Sequence, residues 1–221
     1  GKPVRRQSKV APGYVPAQEA GAPTGLVPNS VMRDLLRFLE RQLGAEALRG
    51  ILNLAGLESY HQSLPPDDMR LEVDAAHYVA VMQGLQDYYD ERGAMAIARA
   101  VGRSTVRRAI IHDIGARNHA RQLGGRELFT IALDCFAKTT ALRDRQLIAL
   151  QDSGDMLLVT LRQPACWARD PAGRACQVVV GALRGALELI SGRHLRVRAV
   201  ACIHDGAGHC IFEVGRAARA G

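Results

Sequence analysis

Cys166-Trp-Ala-Arg-Asp-Pro-Ala-Gly-Arg-Ala-Cys176, an apolar run, and then Cys202-Ile-His-Asp-Gly-Ala-Gly-His-Cys210 form the stretch whose reading decides the fold. It holds four of the chain's five cysteines, two on each side of a run too long for one strand. The first pair brackets a loop with Pro171 and Gly173, the second a turn with Gly206 and Gly208. Cysteines at the bases of two tight loops are what a thiolate-bound metal needs, because the loops can swing the sulfurs around one centre. The pairs are separated by nine and seven residues, wider than the two to four of a zinc finger.

Leu195–His204 reads as a strand and His209–Gly215 as its hairpin partner. Alternation places Val200, Cys202 and His204 on one face of the first, and Cys210, Phe212 and Val214 on one face of the second. Cys202 and Cys210 can stand opposite each other only across a loop with an odd number of residues. Asp205-Gly206-Ala207, with the glycine left-handed, suits such a loop. The residues therefore suggest a structural zinc held by Cys176, Cys202 and Cys210, with Cys166 as fourth ligand and His204 or His209 as alternatives. The competing reading is that these cysteines are small buried hydrophobes, as Cys135 is expected to be.

Between the cysteine pairs, Val178–Ile190 predicts a buried helix. Gly181 and Gly185 let it lie close to its neighbours, and Gly192 suits its end. Upstream, Gln146–Gln151 and Met156–Arg162 read as strands joined by a turn at Asp152-Ser153-Gly154-Asp155. The earlier chain is helical. Asn29 or Ser30 can cap a helix whose stripe is Met32, Leu35, Leu36, Leu39 and Leu43, closed by Gly44. Leu48, Ile51, Leu52 and Ala55 mark a second. Pro65-Pro66-Asp67-Asp68 enforces a loop. Asp74 can cap a third helix carrying Tyr78, Val81, Met82, Leu85, Tyr88 and Tyr89. A fourth runs from Ala94 to about Ile114, with Arg99, Arg103 and Arg107 on one face, either solvated or an anion or partner site. A fifth, from about Arg126 to Leu142, is apolar nearly all round. Helices first, then hairpin, helix, hairpin predict an α+β fold: a helical N-terminal half packed on an antiparallel sheet of two hairpins separated by a helix.

Residues 1–28 hold five of the nine prolines, and this composition predicts a flexible basic arm. Residues 29–216 read as one domain and 217–221 as a tail. The net charge of +7 is concentrated at the ends: Lys2, Arg5, Arg6 and Lys9 against Glu19 give +3, and Arg216 with Arg219 gives +2, leaving +2 for the body. That distribution argues against nucleic-acid binding as the main function. No apolar run approaches the roughly 18 residues of a membrane span, and no signal-peptide core is visible, so the expected location is cytoplasmic. No Gly-x-Ser-x-Gly, His-Glu-x-x-His or phosphate loop is present, and no catalytic constellation stands out. His61, His77, His112 and His119 are scattered through the helical half.

Val200-Ala-Cys202, seven residues, then Cys210-Ile-Phe212, preceded by a cysteine that opens a glycine-containing helix, resembles the 4-vinyl reductase domain family. That family includes a protein linked to bacteriochlorophyll biosynthesis, archaeal hydrocarbon-binding proteins and the sensor domains of phenol- and xylene-responsive activators. It shares its fold with subunits of the TRAPP tethering complex and resembles haem-based nitric-oxide sensor domains. The resemblance is sharpest over Arg162–Val214 and looser over Leu57–Leu142. It implies a ligand-binding domain, a homodimer and zinc on cysteines matching Cys176, Cys202 and Cys210. The phenol sensors carry a glutamate where this chain has Ala199, so the fourth ligand must come from elsewhere.

The expectation from sequence is thus a module that binds or senses a hydrophobic small molecule (aromatic, acyl or tetrapyrrole), with Tyr78, Tyr88, Tyr89, Phe129, Phe136 and Trp167 as candidate lining. The alternatives are an accessory protein or chaperone of tetrapyrrole biosynthesis and a protein–protein adaptor of the TRAPP-subunit type.

Overall fold

Helix α1 (Asn29–Leu43) forms where the leucine stripe places it: Met32, Leu35, Leu36 and Leu39 are fully buried, and Gly44 closes the helix at φ 89°. The computed structural model describes residues 25–112, 148–152, 156–161, 174–192, 194–202, 206–207 and 209–215. The start of α1 differs from the sequence reading. Asn29 is no cap; it is the first helical residue, 1% exposed, and its Nδ2 donates to Asp68 Oδ1 (2.9 Å) and Glu72 Oε2 (2.7 Å). The first-turn N–H groups go to loop carbonyls instead, Asn29 to Arg70 (2.9 Å) and Ser30 to Asp68 (2.8 Å). Helix N-terminal donors need partners, and here the proline loop supplies them.

This knot is pH-sensitive. The Asn29 amide, and after it the Arg70 backbone N–H, hold the Asp68 carboxyl below its usual range. A depressed folded-state pKa adds stability that is present above the unfolded value and is lost as pH falls through the folded one. Asn29→Ala is therefore expected to destabilise the chain at neutral pH, and the gap in melting temperature from the parent should narrow as pH falls from about 5 to about 2.

Helix α2 (Ala45–Leu54) buries Leu48, Ile51 and Leu52. After a 3-10 turn at Glu58–His61 and the proline loop, β2 (Leu71–Asp74) pairs antiparallel with β1 (Leu26–Pro28). Residues 26–28, which composition assigned to the arm, are therefore a strand. Val27 and Val73 pair and are buried, and Pro28 is tolerated at the end of a two-stranded ribbon. Asp74 caps α3 (Ala75–Tyr88) as expected, accepting from the Ala76 N–H at 2.8 Å. Asp90 accepts from the Gly93 N–H at 2.6 Å, so Gly93 lies in the first turn of α4 (Glu91–His112).

Two antiparallel hairpin strands follow, β3 (Ile148–Asp152) and β4 (Met156–Leu161). Helix α5 (Arg174–Ser191) comes next, and then β5 (Arg196–Ala201) and β6 (Cys210–Gly215). The last four strands form one sheet in the order β3-β4-β6-β5. The α+β architecture read from sequence is the observed one. The expected helix over 126–142 and the turn at 153–155 lie outside the described residues. Among the described residues no helix is long and apolar enough to cross a membrane.

The apolar residues gather into two cores. One is formed by α1 to α4 with β1 and β2; the other lies between α5 and the sheet, around Phe212, Leu161 and Leu183. Helix α4 serves both, giving Ala94, Ala98 and Val101 to the first and Val106 to the second. It can do so because α4 and α5 meet backbone to backbone. A Cβ on Gly181 would lie 2.7 Å from Arg99 Cα and nearer still to its carbonyl; one on Gly102 would lie 2.8 Å from the Ala182 nitrogen. Only glycine allows so close an approach.

Candidate functional site

The sequence placed Cys202 and Val200 on one strand face. The structure separates them. Ala199 pairs with Phe212 but Ala201 pairs with Ile211, so β5 bulges at Val200, which is 46% exposed. A bulge adds one residue and flips the alternation beyond it. Val197 and Cys202, five residues apart, thereby both become buried, and Cys202 is brought level with Cys210. Gly206 at φ 83° and the Ala207 N–H bonded to the Cys202 carbonyl (3.2 Å) close the loop. Cys210, Phe212 and Val214 are all buried along β6, as alternation required.

Helix α5 starts four residues before the sequence reading, which puts Cys176 in its opening turns and over the hairpin. The three sulfurs form a buried cluster, with Cys176 Sγ 3.1 Å from Cys202 Sγ and 3.8 Å from Cys210 Sγ. All three lie within 4.8 Å of one another. Hydrogen bonding with Cys202 and Cys210, followed by burial, pushes the Cys176 thiol far above its ordinary range. A protonated buried thiol is a poor nucleophile. Labelling of Cys176 by a maleimide, located by peptide mass spectrometry, is expected to be at least about 100-fold slower in the folded chain than in denaturant, since the exposed thiol has a pKa near 8.5. Comparable rates would contradict the buried cluster.

Of the other candidate residues, only some lie among the described ones. Tyr78 is buried in the helical core. Tyr88 is 46% exposed and its ring lies 5.1 Å from that of half-buried Tyr89 at the end of α3. Phe129, Phe136, Trp167, Cys166, Cys135, His119 and His204, and the side chain of His112, lie outside the described residues. His61 bonds Asn53 (3.0 Å), His77 bonds the Tyr60 hydroxyl (2.9 Å) and His194 bonds Glu188 (3.0 Å). Among the described residues His209 has a buried Nδ1 without a hydrogen-bond partner and does not join the sulfur cluster. Of the arginine stripe, Arg99 and Arg103 face a cleft beside α5, while Arg107 is exposed. Sequence reasoning missed Gln177, Arg184 and Arg198, which complete that cleft from α5 and β5. No spacing rule links them to the stripe.

No protein-family model and no curated protein matches the chain. Solved structures do. The chain is similar to an H-NOX protein from K. algicida in its Fe(II) unliganded state, with TM-score 0.60 and 11% identity over 88% of this chain and 98% of that one. It is similar to an H-NOX protein from S. oneidensis in the Fe(II)NO ligation state, with TM-score 0.51 and 16% identity over 85% and 97%. A third structure, solved to probe heme distortion in the H-NOX family, matches with TM-score 0.56 and 11% identity over 86% and 95%. These findings correct the assignment to the 4-vinyl reductase domain family. The cysteine-flanked hairpin that carried it is a local device of strand, turn and bulge. They correct zinc as well. The metal named with these neighbours is Fe(II), and the described residues supply three sulfurs, one donor short of a closed four-coordinate site. Haem iron in turn needs an axial His, Cys, Met or Tyr facing a porphyrin-sized cavity. Among the described donors, three histidines bond elsewhere, the thiols face one another, and Met32 and Met82 are sealed in the helical core, while His209 keeps a buried Nδ1 without a hydrogen-bond partner. What the likeness establishes is that this chain has the H-NOX fold.

Proposed function

We propose that the chain is a small-molecule-binding domain of sensor type. The observation that supports this is its division into two apolar cores that share a single glycine-seamed helix pair, in a fold matched along nearly the full length of the H-NOX neighbours. A ligand held between the helical half and the sheet half changes how α4 sits on α5, and the seam transmits that change because close-packed backbones cannot deform gradually. Phe129, Phe136 and Trp167 are the residues assigned to an apolar ligand in this reading, and Tyr78 belongs to the core against which it would pack. The reading needs only one chain; a homodimer adds no residue to it. Tetrapyrrole accessory and adaptor roles have no supporting observation of their own.

Thermal denaturation with hemin, naphthalene or palmitate tests it. At about 100 times its Kd a ligand stabilises by about 2.7 kcal/mol, a rise of about 5–10 °C for a chain of this length. At least one of the three probes is expected to reach that range saturably. No shift with any of them overturns the reading.

A further inference from the structure

A cleft of about 250 Å³ opens where α4 crosses α5 beside β5. Val180 and Val197, both buried, form its apolar floor together with Gly181. Four arginines from three elements converge on its rim: Arg99 and Arg103 from α4, Arg184 from α5 and Arg198 from β5. The glycine seam brings them together. A Cβ on Gly185 would lie 3.0 Å from Arg103 Cγ and 3.2 Å from its Cα, so the arginine stem runs directly along α5.

The charges are only partly compensated. Arg198 donates twice to Glu213, at 2.7 and 3.0 Å, from the directly paired position on β6. Arg184 Nε donates to Glu188 at 3.0 Å. Arg99 Nε spends its hydrogen bond on a neutral partner, Gln177 Oε1, at 2.7 Å. Arg103 forms no ion pair among the described residues, although its charge acts on the Glu188 carboxylate. Among the described residues, four guanidiniums against the two carboxylates they touch leave two positive charges in excess at the mouth of a concave, apolar-floored site. Like charges gathered in this way are unfavourable unless an anion joins them. Guanidinium forks match phosphate oxygens in pairs.

We propose that this cleft binds a small phosphate-bearing molecule with one or two phosphate groups, held by Arg99 and Arg103 with Arg184 and Arg198 closing the rim. The size argues for a small ligand, since the cleft is below the about 300–1,000 Å³ of pockets for drug-sized molecules. This site is separate from the apolar ligand proposed above, and it stands or falls independently.

Calorimetric titration of the full chain with inorganic pyrophosphate, at about 50 mM salt, tests it, because screening at that ionic strength is weak. Saturable one-to-one binding is expected, falling at least about tenfold in Arg103→Gln and in Arg99→Gln. Arg49→Gln, whose parent side chain pairs with Glu46 on α2, should bind as the parent does. All three side chains are exposed, so unchanged circular-dichroism melts should confirm that the variants fold. Absence of saturable binding, or equal affinity in Arg103→Gln and Arg99→Gln, overturns the site. Binding of a phosphoserine peptide or of vesicles containing phosphatidic acid, with none of free pyrophosphate, also overturns it and assigns the patch to a macromolecular partner.

Discussion

Gly181→Ala is expected to melt at least about 6–12 °C below the parent chain. Alanine is ordinarily the better helix former by about 0.5–1 kcal/mol, so on propensity alone this change would stabilise α5. The seam reverses the sign. The new methyl would meet the Arg99 backbone, with Cα at 2.7 Å and the carbonyl closer, and a backbone inside a helix cannot step aside. Overpacking costs about 1–3 kcal/mol and occasionally more. Here the cost falls at the upper end because α4 and α5 must part, loosening both cores, and each kcal/mol shifts the melting temperature by about 2–4 °C at this size. Gly50→Ala is the control. Its Cβ would meet Tyr88 Cε2 at 2.8 Å, but that ring is 46% exposed and can swing away, so a change within about 1 kcal/mol is expected. Equal melting of parent and Gly181→Ala would show that the helices do not touch.

Phe212→Ala carries the second large effect. Phe212 is 0% exposed and sits on β6 between Val159 of β4 and Ala199 of β5. Truncating a fully buried phenylalanine costs about 3–5 kcal/mol, since the cavity cannot collapse in a hydrogen-bonded sheet. Denaturant titration should show the midpoint fall with the slope unchanged. Phe212→Leu is expected to lose less than about 1.5 kcal/mol. A loss below 1 kcal/mol for the alanine variant, itself below the about 3 kcal/mol minimum for such sites, would mean that β6 is not central to the second core.

The elements that could be read from sequence are those whose cause is local. The stripe of α1 is a helical period, Gly44 a stop signal and Asp74 a cap, and each appears where its residues placed it. Helix α5 resolves a conflict between three consecutive valines and two glycines. The glycines decide, because Gly181 and Gly185 lie under α4. What escaped reading depends on distant partners. Strand β1 is three residues ending in proline and exists only because β2, some forty residues on, pairs with it. Asn29, read with Ser30 as a candidate cap, instead gives its amide to two distant carboxylates, Asp68 of the proline loop and Glu72 of β2. The bulge at Val200 has no glycine to announce it, and without it Cys202 would face solvent.

The site divides in the same way. The gathering of Cys176, Cys202 and Cys210 followed from cysteines at loop bases, a local signal. Their assignment to zinc did not survive. The arginine stripe of α4 was visible as a four-residue period, but its meaning needed Arg184 and Arg198, which only the packing of α5 and β5 brings beside it. Convergence of residues from three elements leaves no mark in one-dimensional spacing.

Native mass spectrometry of the full chain, freshly purified and then mixed in turn with hemin, naphthalene and palmitate, tests the central claim of a small-molecule-binding domain most directly. The expected result is a one-to-one adduct, either carried through purification or formed with one of these probes and lost on unfolding. The bare chain mass under every condition, from protein that still melts cooperatively, would contradict it.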